Sequence, residues 1–185
     1  MQDSHRLVGI RLVAATAVFL AFGCGAPPRP RLEGSQLKVT EVHFDPSSEQ
    51  GKAEFVEVAN LGSAAADLSG WNITGPGRIA LPAGTKLAPG AALVVAKEKA
   101  ACEKLAGRSL EVAAVFAGKL RGKGETIRLE DPEGRVADEV SYDPADQEVA
   151  KAQRTGLSIH RANVDASGEP GRTWRAGPPT PGRLK

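Results

Sequence analysis

The sequence predicts an all-β fold, a sandwich of two sheets. Three observations carry this. Short stretches alternate apolar and polar residues at period two, the mark of strands with one buried face. Gly- and Pro-rich turns separate those stretches at near-regular intervals. Only residues 97–105 (KEKAACEKL) read as helix, so strands do not alternate with helices as an α/β fold requires.

Taken in order, residues 37–44 (LKVTEVHF) form a half-buried strand that Asp45-Pro46 stops. Residues 54–59 (EFVEVA) carry apolar groups on both faces, which places that strand centrally. Asn60-Leu61-Gly62-Ser63 is a turn. In the corner Asp67-Leu68-Ser69-Gly70-Trp71, Asp67 can cap backbone N–H groups and Gly70 can take positive φ. Trp71 and Ile73 then open a strand with Trp71 pointing inward. Strands follow at 78–81 and, after Leu87-Ala88-Pro89-Gly90, at 91–96. The helical stretch ends at Gly107. Residues 110–116 and 125–130 are strands, and Asp131-Pro132-Glu133-Gly134 is a hairpin turn leading to 135–142. Residues 157–161 are the last expected strand. The expected core is Phe55, Val56, Val58, Leu68, Trp71, Ile73, Leu93, Val95, Ile127, Leu129, Val140, Ile159 and Trp174. With 4% aromatic residues it rests mainly on aliphatic side chains.

Residues 163–185 lack any strand or helix period, yet contain Trp174, a ring that gains little in water. The expectation is that this tail lies along the sandwich, with Trp174 near its rim. Thr180-Pro181-Gly182 then closes against an outer strand and covers a sheet edge.

The N-terminus reads as an export signal. Arg6 and Arg11 precede an apolar run at 12–22 (LVAATAVFLAF). A membrane span takes about 20 apolar residues, so this run fits a signal-peptide core. It ends in Leu20-Ala21-Phe22-Gly23-Cys24, which resembles the lipobox of bacterial lipoproteins, departing from it in Ala21, where Leu is commonest. The resemblance implies removal of residues 1–23 and a covalent lipid, such as palmitate, on Cys24. An ordinary secretory signal with a chance cysteine is the plainer alternative. Residues 24–36 then form a Pro-rich tether with Arg29 and Arg31 solvated, and residues 37–183 form the domain. The formal net charge is +2, of which the leader holds +1, so no strong field draws the mature chain to nucleic acid.

Several motifs together resemble a known family. They are Glu54-Phe55-Val56-Glu57-Val58, Asn60-Leu61-Gly62, Asp67-Leu68-Ser69-Gly70-Trp71 and Gly124-Glu125-Thr126-Ile127-Arg128-Leu129. Gly134-Arg135-Val136-Ala137-Asp138, Ser158-Ile159-His160-Arg161 and the closing Pro179-Thr180-Pro181-Gly182 complete the set. The combination resembles the lamin-tail domain of bacterial surface proteins, over roughly residues 36–183. The resemblance implies an immunoglobulin-like sandwich that binds or scaffolds. After Tyr142, Asp143-Pro144-Ala145-Asp146 replaces the aromatic-proline pair of relatives, so the loop to Gly156 has no template.

Catalytic chemistry finds little support in the residue pattern. Ser158 and His160 share one strand face, but two residues on one strand are no triad signature. Cys102 fits a small buried hydrophobe better than a reactive thiol. Asp143, Asp146 and Glu148 are weak calcium candidates, since the spacing is not that of an EF-hand. Lys119, Arg121 and Lys123 form a basic loop without the aromatics that single strands stack on. No zinc spacing or phosphate loop occurs. The expectation is a non-enzymatic, exported protein, anchored by lipid on Cys24 to the cell membrane or outer membrane of a bacterium. It presents an interaction domain to a protein or envelope polymer, without cofactor, metal or nucleic acid. The alternatives are an accessory or catalytic part of an envelope hydrolase or nuclease system, and a structural envelope protein without a ligand.

Overall fold

The computed structural model describes residues 29–163 and 173–184; residues 1–28, Cys24 among them, lie outside. In chain order the elements are β1 (Leu37–His43), β2 (Phe55–Asn60), β3 (Ala66–Asp67), β4 (Asn72–Thr74), β5 (Arg78–Ala80), β6 (Lys86–Leu87) and β7 (Ala92–Ala96). Then come α1 (Lys99–Ala106), β8 (Val112–Val115), β9 (Glu125–Glu130), β10 (Val136–Tyr142), α2 (Gln147–Ala152), β11 (Ser158–Arg161) and β12 (Trp174–Gly177).

Six strands form one sheet in the order β12-β11-β1-β2-β7-β8, and four form the facing sheet in the order β10-β9-β4-β5. Their inward residues meet in one core that includes Val42, Val56, Val58, Leu68, Ile73, Leu93, Val95, Ile127, Leu129, Val140, Ile159 and Trp174. β2 is central and buried throughout. The β7–β8 pair is parallel. A parallel pair needs a crossover connection, and α1 supplies it. On the outer face of the six-stranded sheet, α1 covers a second small core of Ala53, Phe55, Val94, Ala96, Cys102 and Leu110.

Local chemistry sets the corners. Asp67 Oδ1 accepts the N–H of Ser69 at 2.9 Å, and Gly70 sits at φ 72°. Asn60 holds its turn by donating to the carbonyls of Ala64 and Leu87 while accepting the N–H of Gly62. Gly134 N–H closes the hairpin on Asp131 O at 3.0 Å. Gly107 ends α1 in the left-handed conformation.

Five details differ from the sequence expectation or were left open by it. Trp71 is half-buried and precedes β4, because pairing begins at Asn72; it packs against the core from the side. Phe55 is buried in the outer core under α1 rather than between the sheets. The loop after Tyr142 contains a short helix, α2, capped by Asp146. The tail contains a strand, β12, paired antiparallel with β11. The end of the tether is docked: Val136 N–H donates to Pro30 O and Leu32 N–H to Val136 O, while Arg29 pairs with buried Glu130 at 2.6 Å. Arg31 lies 3.8 Å from Glu139. The arginines read as solvated thus bind the four-stranded sheet, because edge strand β10 offers backbone groups there and Glu130 of β9 and Glu139 of β10 offer carboxylates.

Candidate functional site

The outer face of the six-stranded sheet gathers the polar side chains with chemistry to offer. Period-two alternation turns Glu41, Glu57, Ser158 and His160 to this face. Glu41 stands opposite Glu57 on one side and His160 on the other. A strap, residues 178–184, crosses above them. Thr180 donates its N–H to Glu41 Oε1 (3.0 Å) and its hydroxyl to Oε2 (2.8 Å). Gly182 N–H donates to Glu57 Oε2 at 2.9 Å, and Thr40 Oγ1 donates to Oε1 at 2.7 Å. Arg108 Nη2 holds the strap from the other side, on Pro181 O (2.9 Å) and Gly182 O (3.1 Å). Burial pushes the Glu57 carboxyl up to about 7, and the Glu41 charge adds to the rise.

Here the fold brings a hydroxyl, an imidazole and a carboxylate together. Ser158 Oγ lies 3.0 Å from His160 Nε2, and His160 Nδ1 lies 3.5 Å from Glu41 Oε2. The arrangement does not activate the serine. Its hydroxyl donates to Glu41, and Ser158 is fully buried. His160 Nε2 is also 3.0 Å from the carbonyl of Pro178. A carbonyl only accepts, so that nitrogen carries the proton and is no base for the hydroxyl. The adjoining cavity is about 190 Å³, below the roughly 300 Å³ at which small-molecule sites begin. The cluster is a structural joint that fastens the C-terminus across the sheet.

Comparison with protein families matches residues 31–144 to the Lamin Tail Domain. The chain belongs to the lamin tail domain family. Neither the curated proteins nor the solved structures gave a match. The match in this lamin tail domain stops before α2, β11 and β12, although the latter two strands belong to its six-stranded sheet. Domains of this family are immunoglobulin-like and typically non-catalytic.

The remaining candidates sort by their contacts. Asp143 accepts the N–H of Ala145, Asp146 caps α2 through the N–H of Glu148, and Glu148 binds Lys151 and the N–H of Ala176. These carboxylates serve the backbone and a lysine instead of converging on an ion. Among the described residues no group of three acidic, His or Cys side chains is placed to hold a metal. In the basic loop Arg121 reaches toward Glu125, while Leu120 is buried and its N–H donates to Glu54 Oε2 at 2.7 Å. Cys102 is sealed under α1, and burial pushes its thiol up to about 12, far from a reactive thiolate. Cys24 lies outside the described residues.

Several buried carboxylates were missed from sequence, among them Glu54, Asp138 and Glu41. Glu54 binds Lys97 at 2.9 Å besides Leu120. Asp138 accepts both Arg161 Nη1 (2.6 Å) and the N–H of Val39 (2.8 Å), stitching β10 to β11 and β1. Glu41 holds the strap. In sequence Glu54 shares the parity of Val56 and Val58 and Asp138 that of Val136 and Val140, but nothing nearby marks the distant partners that satisfy each buried carboxylate.

Proposed function

We propose that this protein is a lipid-anchored, exported envelope component that presents its lamin tail domain as an interaction module. Membership of the family carries the reading, and the segment Leu20-Ala21-Phe22-Gly23-Cys24 supports export and acylation at Cys24. A diacylglycerol on the thiol and a further acyl chain on the freed amine make a durable anchor, since each buried CH2 contributes about 0.8 kcal/mol. The sealed Ser158-His160-Glu41 cluster favours contact over catalysis as the working mode.

The test is metabolic labelling with radioactive palmitate. The wild-type chain takes up label and shortens by the leader, and Cys24→Ser does neither. Equal labelling of both would refute the anchor. Affinity capture from envelope extract then identifies what the domain binds.

A further inference from the structure

We propose that the outer face of the four-stranded sheet is the side this protein turns to an anionic membrane surface, with its arginines among the lipid headgroups. The inference rests on reading Cys24 as acylated, and it names the face and the lipid charge that the anchored domain meets. Period two sends Ile73, Ile79, Ile127 and Val140 into the core and turns Thr74, Arg78, Ala80, Arg128 and Glu139 outward. Across the strands Arg78 stands opposite Thr74, Thr74 opposite Arg128, and Arg128 opposite Glu139. Neither described helix packs on this face: α1 covers the other sheet, and α2 lies against β11 and β12.

The tether brings two more arginines to this face. Arg31 bridges Val136 in a parallel pairing, so the end of the tether runs beside β10 like a short added strand. Arg29 and Arg31 are two residues apart and therefore turn to one side. Arg29 meets Glu130 at 2.6 Å, and Arg78 stands 3.7 Å from the same carboxylate. Arg31 lies 3.8 Å from Glu139, which Arg128 also pairs with. Four guanidinium groups thus share two carboxylates, an excess of two positive charges. Glu130 is buried, whereas the side chains of Arg29, Arg31 and Arg78 are each more than half exposed. What this face shows to solvent is therefore mainly cationic. At the hairpin beyond it, Asp131 and Glu133 are both held by Arg135.

The length of chain before the docked arginines selects a membrane as the partner. Only residues 25–28 separate Cys24 from Arg29. A chain covers at most about 3.6 Å per residue, so Arg29 lies within roughly 18 Å of an acylated Cys24. Reach fixes the distance, and charge fixes which side turns down. An anionic surface acts over a Debye length of about 10 Å at moderate salt. Stacked sheets alone are about 10 Å apart, and α1 adds a further layer beyond the six-stranded sheet. The surface therefore distinguishes the arginine face from the α1 side. Each arginine near such a surface contributes about fivefold to the partition, so an excess of two favours this orientation roughly 25-fold.

The experiment uses the acylated chain in vesicles of equal parts phosphatidylglycerol and phosphatidylcholine, with a nitroxide quencher on some headgroups. A fluorophore is attached through Ala80→Cys, exposed on this face, or through Ala100→Cys, exposed on α1. Acylation consumes the Cys24 thiol and burial protects Cys102, so the added thiol is the one that labels. Quenching should be several-fold stronger at position 80 than at position 100. Molar salt cuts the Debye length to about 3 Å and should bring the two positions to parity with no substitution made. Arg31→Gln combined with Arg78→Gln should do the same at low salt. That variant leaves Arg29 on Glu130 and Arg128 on Glu139, so the pairs that satisfy the two carboxylates remain. Equal quenching at positions 80 and 100 overturns the orientation while the acyl anchor stands. So does a contrast that survives molar salt or persists on phosphatidylcholine alone. A chain that takes up no palmitate overturns the anchor and the orientation together.

Discussion

The two edges of the six-stranded sheet are built in opposite ways. At one, β12 has no alternation of its own, with Arg175 exposed and Gly177 at its end. It is nonetheless fixed from several directions. Trp174 is buried in the core and its Nε1 donates to Ser141 O at 2.8 Å, while α2 lies beside the strand and the strap after it binds Glu41 and Glu57. At the other edge, β8 is wholly apolar and pairs with β7 alone, with a bulge at Ala113. Composition alone would rank β8 the better strand. The difference teaches that an edge is stable through what its neighbours do with its backbone and side chains, not through its own propensity.

Removing the guarded edge tests this most severely. Truncation after Ala162 deletes β12, Trp174 and the strap, and opens Glu41, Glu57 and Ser158 to solvent. The loss should exceed the ~4–5 kcal/mol reached by the worst single substitutions, and the exposed β11 should promote self-association. Thermal melts and sedimentation measure both. A trimmed domain with an unchanged melting temperature would show β12 to be dispensable.

The two tryptophans sharpen the contrast. Trp174→Ala removes a fully buried ring and an indole hydrogen bond, and should cost about 3–5 kcal/mol. Trp71→Ala removes a half-buried ring from the start of β4 and should cost roughly half as much. Urea denaturation of the two variants compares them directly. Equal losses would mean that Trp71 anchors the sandwich as deeply as Trp174 does.

How the sequence hid this order is instructive. Alternation disclosed β1, β2, β9 and β10 because each buries one or both faces over most of its length. The Asp67–Gly70 corner and the Asp131–Gly134 turn were legible because capping carboxylates and positive-φ glycines act within a few residues. β12 was not, since Trp174-Arg175-Ala176-Gly177 has no period of its own and becomes a strand only beside β11. α2 was too short to announce itself by periodicity, although Asp146 is a standard N-cap. Glu41 and Asp138 fall at shifts of strand register, where period two no longer separates the buried face from the solvent face, and Glu57 shares the parity of Phe55. What buries them comes from far along the chain, with Thr180 reaching Glu41 across 139 positions.

The strap also gives the guarded edge a pH signature of about 3 kcal/mol. Glu57 rises from its ordinary 4.5 to about 7 when buried beneath Gly182 and beside Glu41. Below pH 4.5 it is protonated in both the folded and unfolded chain, and its contribution is complete. Between 4.5 and 7 only the unfolded carboxyl ionises, so stability falls by about 3 kcal/mol across that window. His43 acts in the opposite sense. Burial lowers it from 6.5 to about 4, so its contribution is complete above 6.5 and is lost by a similar amount as pH falls to 4. In the wild type the two nearly cancel between 4.5 and 6.5. Glu57→Gln should expose the His43 limb, with stability rising by about 3 kcal/mol from pH 4 to 6.5 relative to wild type. Denaturation at stepped pH reads the difference. Parallel profiles for variant and wild type would show that Glu57 is ionised in the fold.

The smallest expected effect bears on how the guarded edge stays closed. Ala176 stands opposite Ile159, yet its N–H points outward and donates to Glu148 Oε2 at 2.9 Å. Glu148 is held in place by Lys151, one turn along α2, and its carboxyl is lowered first by that lysine and then by the Ala176 N–H. A side chain from a neighbouring helix thus fills the place a further strand would take. Glu148→Gln weakens the acceptor while keeping its shape, and Glu148→Ala removes it. Hydrogen exchange at Ala176 should quicken in that order, with exchange at Ile159 unchanged because β11 keeps its own partners. The melting temperature should fall less than in Trp71→Ala. If exchange at Ala176 is as slow in Glu148→Ala as in wild type, the carboxylate is not what closes this edge. The asymmetry between β12 and β8 would then rest on Arg175 and the strap alone.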